Sequence, residues 1–488
     1  MRAPRWRLAC PLVVVSGLLF LQACAVPLGP GYQIERQQLE VRYLQASPAH
    51  LHVRATYRLR NIGNRELALL EATLPGEQAQ GRRNLRAWTD GRDVTLQAAG
   101  DGDVRSVRVP FDPPWPPKKR RILVFEYDLD PAPPGYALLA VNEGAFHSRD
   151  AAVFPLLRPP AGAIVEHGRP PTESRLDVRT PQDFLVFASG LEQGSRPRAG
   201  ETEFRFGVSK GNFDPFVVAG RYQQQRVKAS SVTVLFWTFE PLPAAQAQTA
   251  AARLAGTFQT FRATFGPLWK TPPPIRVIET PAQLTQRPGG AGDAAGVDLP
   301  VGALLNRRAF ELGVTSDSFL NLAEHELAHT WFGQASEPWR RTEAVLGEGL
   351  AEYATVVAAE GRGGEAARRR GAALLLGWFD QSRKQAADKP LLQLDPSDAY
   401  EQRVFSYSKG ALFFLALEDR YGKENVRRAL ARVVRSLHGS RFGYADLRSA
   451  LELETGEKLA DFFRLWLDQT GIPDEVRARY EEKIEPQK

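Results

Sequence analysis

The sequence predicts an α+β chain in two parts: a β-rich N-terminal unit, then a small sheet wrapped by many helices. Three observations predict it. From about 34 to 228, short runs alternate apolar and polar residues and are cut by turn residues at close intervals. After Ser231 the period changes: strand, long helix and strand follow one another, and from 315 onward nearly every run has helical spacing. The 488 residues, 43% apolar and 24% charged, suffice for two to four domains with sizeable cores.

Taken in order, residues 1–24 read as an export signal. Arg2, Arg5 and Arg7 form a positive start, and Pro11 to Leu21 is an apolar run too short for a comfortable membrane span. The run ends Leu21-Gln22-Ala23-Cys24, which resembles the bacterial lipoprotein signal, whose cysteine is acylated and becomes the mature N-terminus. The resemblance implies a lipid anchor on Cys24, a place in the cell envelope and, with Ala25 after the cysteine, the outer membrane, facing the periplasm or the exterior. The other cysteine, Cys10, lies within the signal, so a cysteine nucleophile and a cysteine-ligated zinc are excluded. The net charge of +7 includes those three arginines and falls to +4 without them. With no basic tract interleaved with aromatics, nucleic acid is not an expected partner.

Residues 25–33 read as a tether and 34–230 as the β-rich domain. Leu51 to Arg60 keeps a period of two over ten residues. Turn signals recur at Asn61-Ile62-Gly63-Asn64, Pro75-Gly76 and Asp90-Gly91. Pro113-Pro114-Trp115-Pro116-Pro117 is expected to be a loop or an edge, because proline cannot donate to a ladder. A β-sandwich or saddle-like sheet fits this spacing. Residues 231–488 form the second unit. Val232–Phe239 and Ile275–Ile278 read as strands, Ala244–Phe265 as a helix, 287–296 as a Gly-rich loop and Val297–Leu305 as a further strand. Among the later helices, Ala366-Ala367-Arg368-Arg369-Arg370 reads as a solvated face, and Gly422 as a helix stop.

The chemistry concentrates between Phe319 and Tyr353. His325-Glu326-Leu327-Ala328-His329 lies in an apolar helical pattern. Histidines at i and i+4 share a helix face and converge on one ion, while Glu326 reaches the water such an ion would hold. Eighteen residues after His329 comes Glu348, in GEGLAEY, where Gly347 and Gly349 permit close helix packing. Two histidines and a carboxylate leave one zinc position open for a hydrolytic water. Glu352, one turn after Glu348, is either an acceptor for the outer N–H of a ligand histidine or a solvated helical side chain.

HELAHTWFG, the eighteen-residue spacing to the glutamate of GEGLAEY, and Phe405-Ser406-Tyr407-Ser408-Lys409-Gly410-Ala411 together resemble the gluzincin zinc aminopeptidases of the aminopeptidase N type (HExxH-x18-E). The resemblance implies a thermolysin-like α+β zinc peptidase domain with a helical C-terminal part. It also implies one Zn²⁺ per chain held by His325, His329 and Glu348, Glu326 as the base, and Tyr407 as the donor to the oxyanion. Substrates would be peptides or proteins. Asp214 to Gly220 is similar to the strand closing that family's first domain, and Asp461–Leu467 with Gly471-Ile472-Pro473 to the end of its catalytic domain.

One departure matters. Family members carry a GxMEN segment whose glutamate holds the substrate amine, and here the only methionine is Met1. Asp298, in Gly296-Val297-Asp298-Leu299, occupies roughly that place and is the candidate amine anchor. Two alternatives stay open: a degenerate peptidase fold serving as a surface-anchored binding protein, and zinc hydrolysis of a non-peptide substrate.

Overall fold

The computed structural model describes residues 31–46, 48–74, 82–98, 106–130, 139–141, 144–149, 153–158, 173–208, 215–280, 296–333, 337–338, 344–394, 400–438 and 440–481. The signal, Cys24, most of the tether and the loop 287–295 lie outside them. The first strand starts at Tyr32, inside the stretch expected as tether.

In the N-terminal unit, an eight-stranded sheet runs in the order Leu191–Arg198, Glu201–Val208, Glu173–Pro181, Tyr32–Leu44, His50–Asn61, Arg120–Leu129, Arg82–Thr89, Arg92–Asp93. The alternation read from residue 51 is realised there: Leu51, Val53, Ala55, Tyr57 and Leu59 are buried and the residues between them are not. These side chains share one core with Leu70, Ala72, Val109 and Trp115 from a four-stranded sheet (Leu156–Arg158, Leu67–Thr73, Ser106–Trp115, Gln97–Ala98), making a sandwich. The proline-rich segment departs from expectation. The strand Ser106–Trp115 continues through Pro113 and Pro114, because the register jumps from Leu69↔Pro110 to Leu67↔Trp115 and the residues between owe no ladder bond.

The second unit is built on a five-stranded sheet in the order Gln223–Ala229, Val232–Thr238, Ile275–Glu279, Gly302–Leu305, Gly296–Leu299. The three inner strands are parallel and both edges antiparallel. Period two decides its two faces. Val234 and Phe236 enter the helical core, whereas Leu235 and Trp237 join Ile278 and Leu304 against Phe216, Val218 and Tyr222 of the N-terminal unit. The edge strand Gln223–Ala229 therefore pairs with this sheet, although it precedes residue 230.

Helices follow: α1 (Ala244–Phe265), α2 (Arg307–Glu311), α3 (Asp317–Ala328), α4 (Leu350–Ser382), α5 (Tyr400–Tyr421), α6 (Lys423–Ser436), α7 (Tyr444–Thr455), α8 (Ala460–Leu467) and α9 (Asp474–Tyr480). The bounds of α1 are those read from the sequence. Gly422 ends α5 with φ +87°, a conformation natural to glycine. Two residues inside α4, Gly363 and Gly364, are non-helical, so the element bends. Both halves then pack on α5, Tyr353 against Phe414 and Phe379 against Phe405. Among the described residues no helix is long and apolar enough to cross a membrane.

The expected solvated face at 366–370 is corrected at one position. Arg368 is only 2% exposed, and its guanidinium meets Asp419 at 2.8 Å, Glu418 at 3.3 Å and the Tyr480 hydroxyl at 2.7 Å. Three counter-groups from distant elements offset the cost of desolvating the charge.

Candidate metal centre

Helix α3 starts where Ser316 accepts a hydrogen bond from the Phe319 N–H at 3.2 Å. Phe319, Leu320, Ala323 and Leu327 bury one side of it in the core beneath the sheet. That burial carries His325 and Glu326 into the interior, each 6% exposed, with His329 at the C-cap, 8% exposed.

The segment after His329 fixes that ring. Trp331 is fully buried among Phe258 and Phe261 of α1, and its indole N–H donates to the Gly266 carbonyl at 2.9 Å. Phe332 packs edge-on against Phe265. The Phe332 carbonyl, held there, accepts from His329 Nδ1 at 3.1 Å. A carbonyl only accepts, so the proton sits on Nδ1 and the Nε2 lone pair faces inward.

Glu348 arrives on a π-helical stretch, Ala344–Gly349, just before α4. Such widened turns aim side chains that an α-helix would place elsewhere. The stretch lies tight against α5: a Cβ built on Gly349 would stand 2.9 Å from the Gly410 Cα and 2.9 Å from the Ser406 carbonyl oxygen. The glycine of GEG and the glycine of SKGA thus meet face to face, and their contact draws Tyr407 toward the metal ligands. Gly349→Ala is expected to force the two backbones apart at a cost of about 1–3 kcal/mol. Zinc affinity, read by chelator competition, should fall with it; unchanged affinity would contradict this role for the contact.

The three side chains converge. His325 Nε2 and His329 Nε2 are 3.2 Å apart, and Glu348 Oε2 lies 3.1 Å from the first and 3.4 Å from the second. Among the described residues this is the group of His, Asp and Glu able to hold an ion. With zinc–ligand bonds near 2.05 Å, a tetrahedral edge measures about 3.3 Å. The observed separations match that edge. The donor set therefore fits zinc.

Glu352 Oε1 lies 3.0 Å from His325 Nδ1, at an angle short of a good hydrogen bond. Burial by itself pushes the His325 imidazole down, but Glu352, Glu348 and Glu326 more than reverse this and hold it well above its ordinary value. For Glu348, burial pushes upward and the two histidines pull the carboxyl well below its usual range. The first direction says that positive charge is favoured beside the three carboxylates, and the second that Glu348 stays anionic beside the two histidines.

The Tyr407 ring stacks on His325, centroids 5.7 Å apart and planes at 23°. Lys409, two residues on, has another task. It is fully buried and its Nζ meets Asp388 at 3.3 Å, the Lys389 carbonyl at 3.2 Å and the Gln469 carbonyl at 3.0 Å, tying α5 to the segment after α8. Burial pushes its ammonium below the ordinary lysine value in spite of Asp388. Asp298 lies on the edge strand Gly296–Leu299, opposite Ala303, and that strand is adjacent to α3.

Glu324 is a residue the sequence reading missed. It is wholly buried on α3 and accepts from Thr257 Oγ1 at 2.7 Å, Arg253 Nε at 3.0 Å and Arg362 Nη1 at 2.8 Å. It locks α3 to α1 and α4 directly behind the first metal ligand.

Comparison with known proteins agrees with this geometry. Residues 306–466 match the description Peptidase family M1 domain. A stretch of 166 residues is 32% identical to Aminopeptidase M1-B of Oryza sativa subsp. japonica, covering 30% of this chain and 17% of that protein. The fold matches the M1 zinc metallopeptidase of Deinococcus radiodurans with a TM-score of 0.62 at 18% identity, over 91% of this chain and 95% of that one. An alanine variant of that enzyme bound to a Tyr-Ser-Ala substrate gives the same TM-score and identity, covering 96% of its chain. The chain is thus an α+β protein with the architecture of the two-domain M1 metallopeptidases, and its residues 306–466, which carry His325, His329, Glu348 and Tyr407, match the Peptidase family M1 domain.

Proposed function

We propose that this chain is a zinc-dependent peptidase that acts on peptide N-termini. The observation that carries the reading is the convergence of His325, His329 and Glu348 at tetrahedral spacing, with Glu326 next to the first ligand. Zinc held there supplies Lewis acidity to the scissile carbonyl and to the attacking water. Glu326 takes the proton from that water and delivers it to the leaving amine. Tyr407 donates its hydroxyl to the oxygen that becomes negative, a contribution of about 3–4 kcal/mol in comparable sites. Glu352 orients the His325 ring from its outer nitrogen.

The N-terminal preference is drawn from the rice relative, named an aminopeptidase, and from the tripeptide in the Deinococcus enzyme. Without a GxMEN glutamate, Asp298 on the edge strand beside α3 is the proposed anchor for the substrate amine. Tyr407→Phe should lower kcat about a hundredfold or more and change KM little; an unchanged kcat would remove the role assigned to Tyr407.

The cell-envelope placement is part of the same proposal. Acylation at Cys24 would anchor the chain, since each buried CH₂ contributes about 0.8 kcal/mol. Cys24→Ser should move the protein from the membrane fraction to the soluble one; retention in the membrane would refute the anchor.

A further inference from the structure

The outer half of α4 has an unusual face. Leu375, Leu376 and Phe379 are buried, as an amphipathic helix requires. The opposite stripe should be polar, yet it carries Leu374, 75% exposed, and Trp378, 37% exposed, one turn apart on one side. A Cβ at Gly377 would meet nothing, so the stripe is uncovered there. Scattered apolar residues on a surface need no explanation, but one of this pair, Trp378, packs on toward the metal centre. The Trp378 ring lies 5.8 Å from Tyr407, and Tyr407 lies 5.7 Å from His325. Three aromatic rings thus lead from solvent to a metal ligand.

We propose that Leu374 and Trp378 form a subsite for an apolar or aromatic side chain of a peptide substrate. The inference rests on the peptidase reading and deepens it by naming a substrate preference. The two centroid distances bound the separation of Trp378 and His325 at about 11.5 Å. An extended peptide advances about 3.4 Å per residue, so Trp378 reaches a side chain within about three residues of the cleaved bond. If the first peptide bond is cleaved, the residues far enough along lie on the leaving side. The ring packs at 43° to Tyr407 and stays 37% exposed, so an apolar side chain can lie against it without ordering a flexible partner. Trp378 is a specificity residue, outside the reacting atoms.

The test uses zinc-loaded protein carrying Glu326→Gln, so that binding is measured without turnover. Alanine pentapeptides with Phe or Ser placed in turn at the second, third and fourth positions are titrated by calorimetry, and the same peptides are given to the active protein. Phe is expected to bind about tenfold tighter than Ser at one of these positions. Trp378→Ala should erase the ratio of Phe to Ser binding, Trp378→Phe should restore part of it, and Leu374→Ser should reduce it. Cleavage with no Phe preference in binding, or with a preference that survives Trp378→Ala, overturns the subsite and leaves the peptidase reading standing; binding of the peptides with no cleavage by the active protein overturns the peptidase reading, and the subsite with it. No binding and no cleavage of any peptide overturns both.

Discussion

Glu326→Gln should lower peptide hydrolysis by about a hundred- to ten-thousand-fold while one zinc per chain stays bound. Glu326 is outside the donor group formed by His325, His329 and Glu348, so the ion keeps its ligands. Its neighbour His325 is held from the other side by Glu352, and the helix is locked behind by Glu324. Glutamine has the same shape as glutamate, so packing of this nearly buried side chain survives. What is lost is a base that accepts a proton and returns it. Zinc content by elemental analysis and turnover by chromatography read the two effects separately. Loss of zinc together with activity would show that Glu326 holds the site rather than serving the reaction.

The largest effect on stability is expected at Glu418. It is 2% exposed and accepts from the Tyr353 hydroxyl at 2.7 Å, Arg427 Nε at 2.6 Å and Arg368 Nε at 3.3 Å. Glu418→Ala leaves Arg368 with Asp419 and Arg427 with Glu360, and strands buried positive charge between them. Breaking a buried pair in this way costs about 3–5 kcal/mol, which corresponds to a fall of about 10 °C in Tm for a unit of this size. The pair replacement Arg368→Met with Glu418→Leu should recover part of that loss, because the buried Arg368 charge goes with its partner while Arg427 keeps Glu360. Equal Tm for wild type and Glu418→Ala would mean that the network carries no stability. Tyr353 belongs to the same turn as Glu352, so this network also braces the start of α4 next to the metal.

What could be read in advance depended on how local the cause was. Helix α1 was legible end to end because Ala, Leu and Phe recur at helical spacing between Pro243 and Gly266. The three convergent side chains were legible because two sit one helical turn apart and the third follows at a recognisable distance. The π-helical stretch at 344–349 was not, because Gly410, against which Gly349 packs, lies some sixty residues further along. Arg368 was misread for the same reason: Glu418, Asp419 and Tyr480 turn an apparently solvated charge into a core residue. The strand through Pro113 and Pro114 depends on a register jump that only the partner strand reveals.

This centre is expected to bind zinc and to use it to cut peptides. The most direct measurement is hydrolysis by the zinc-loaded protein of paired peptides, one with a free N-terminus and one N-acetylated, with chelated protein beside it. The expected result is cleavage of the free-amine peptide, little or none of the acetylated one, and loss of activity on chelation. Stoichiometric zinc with no cleavage of either peptide would contradict it and would favour a binding protein built on a peptidase fold.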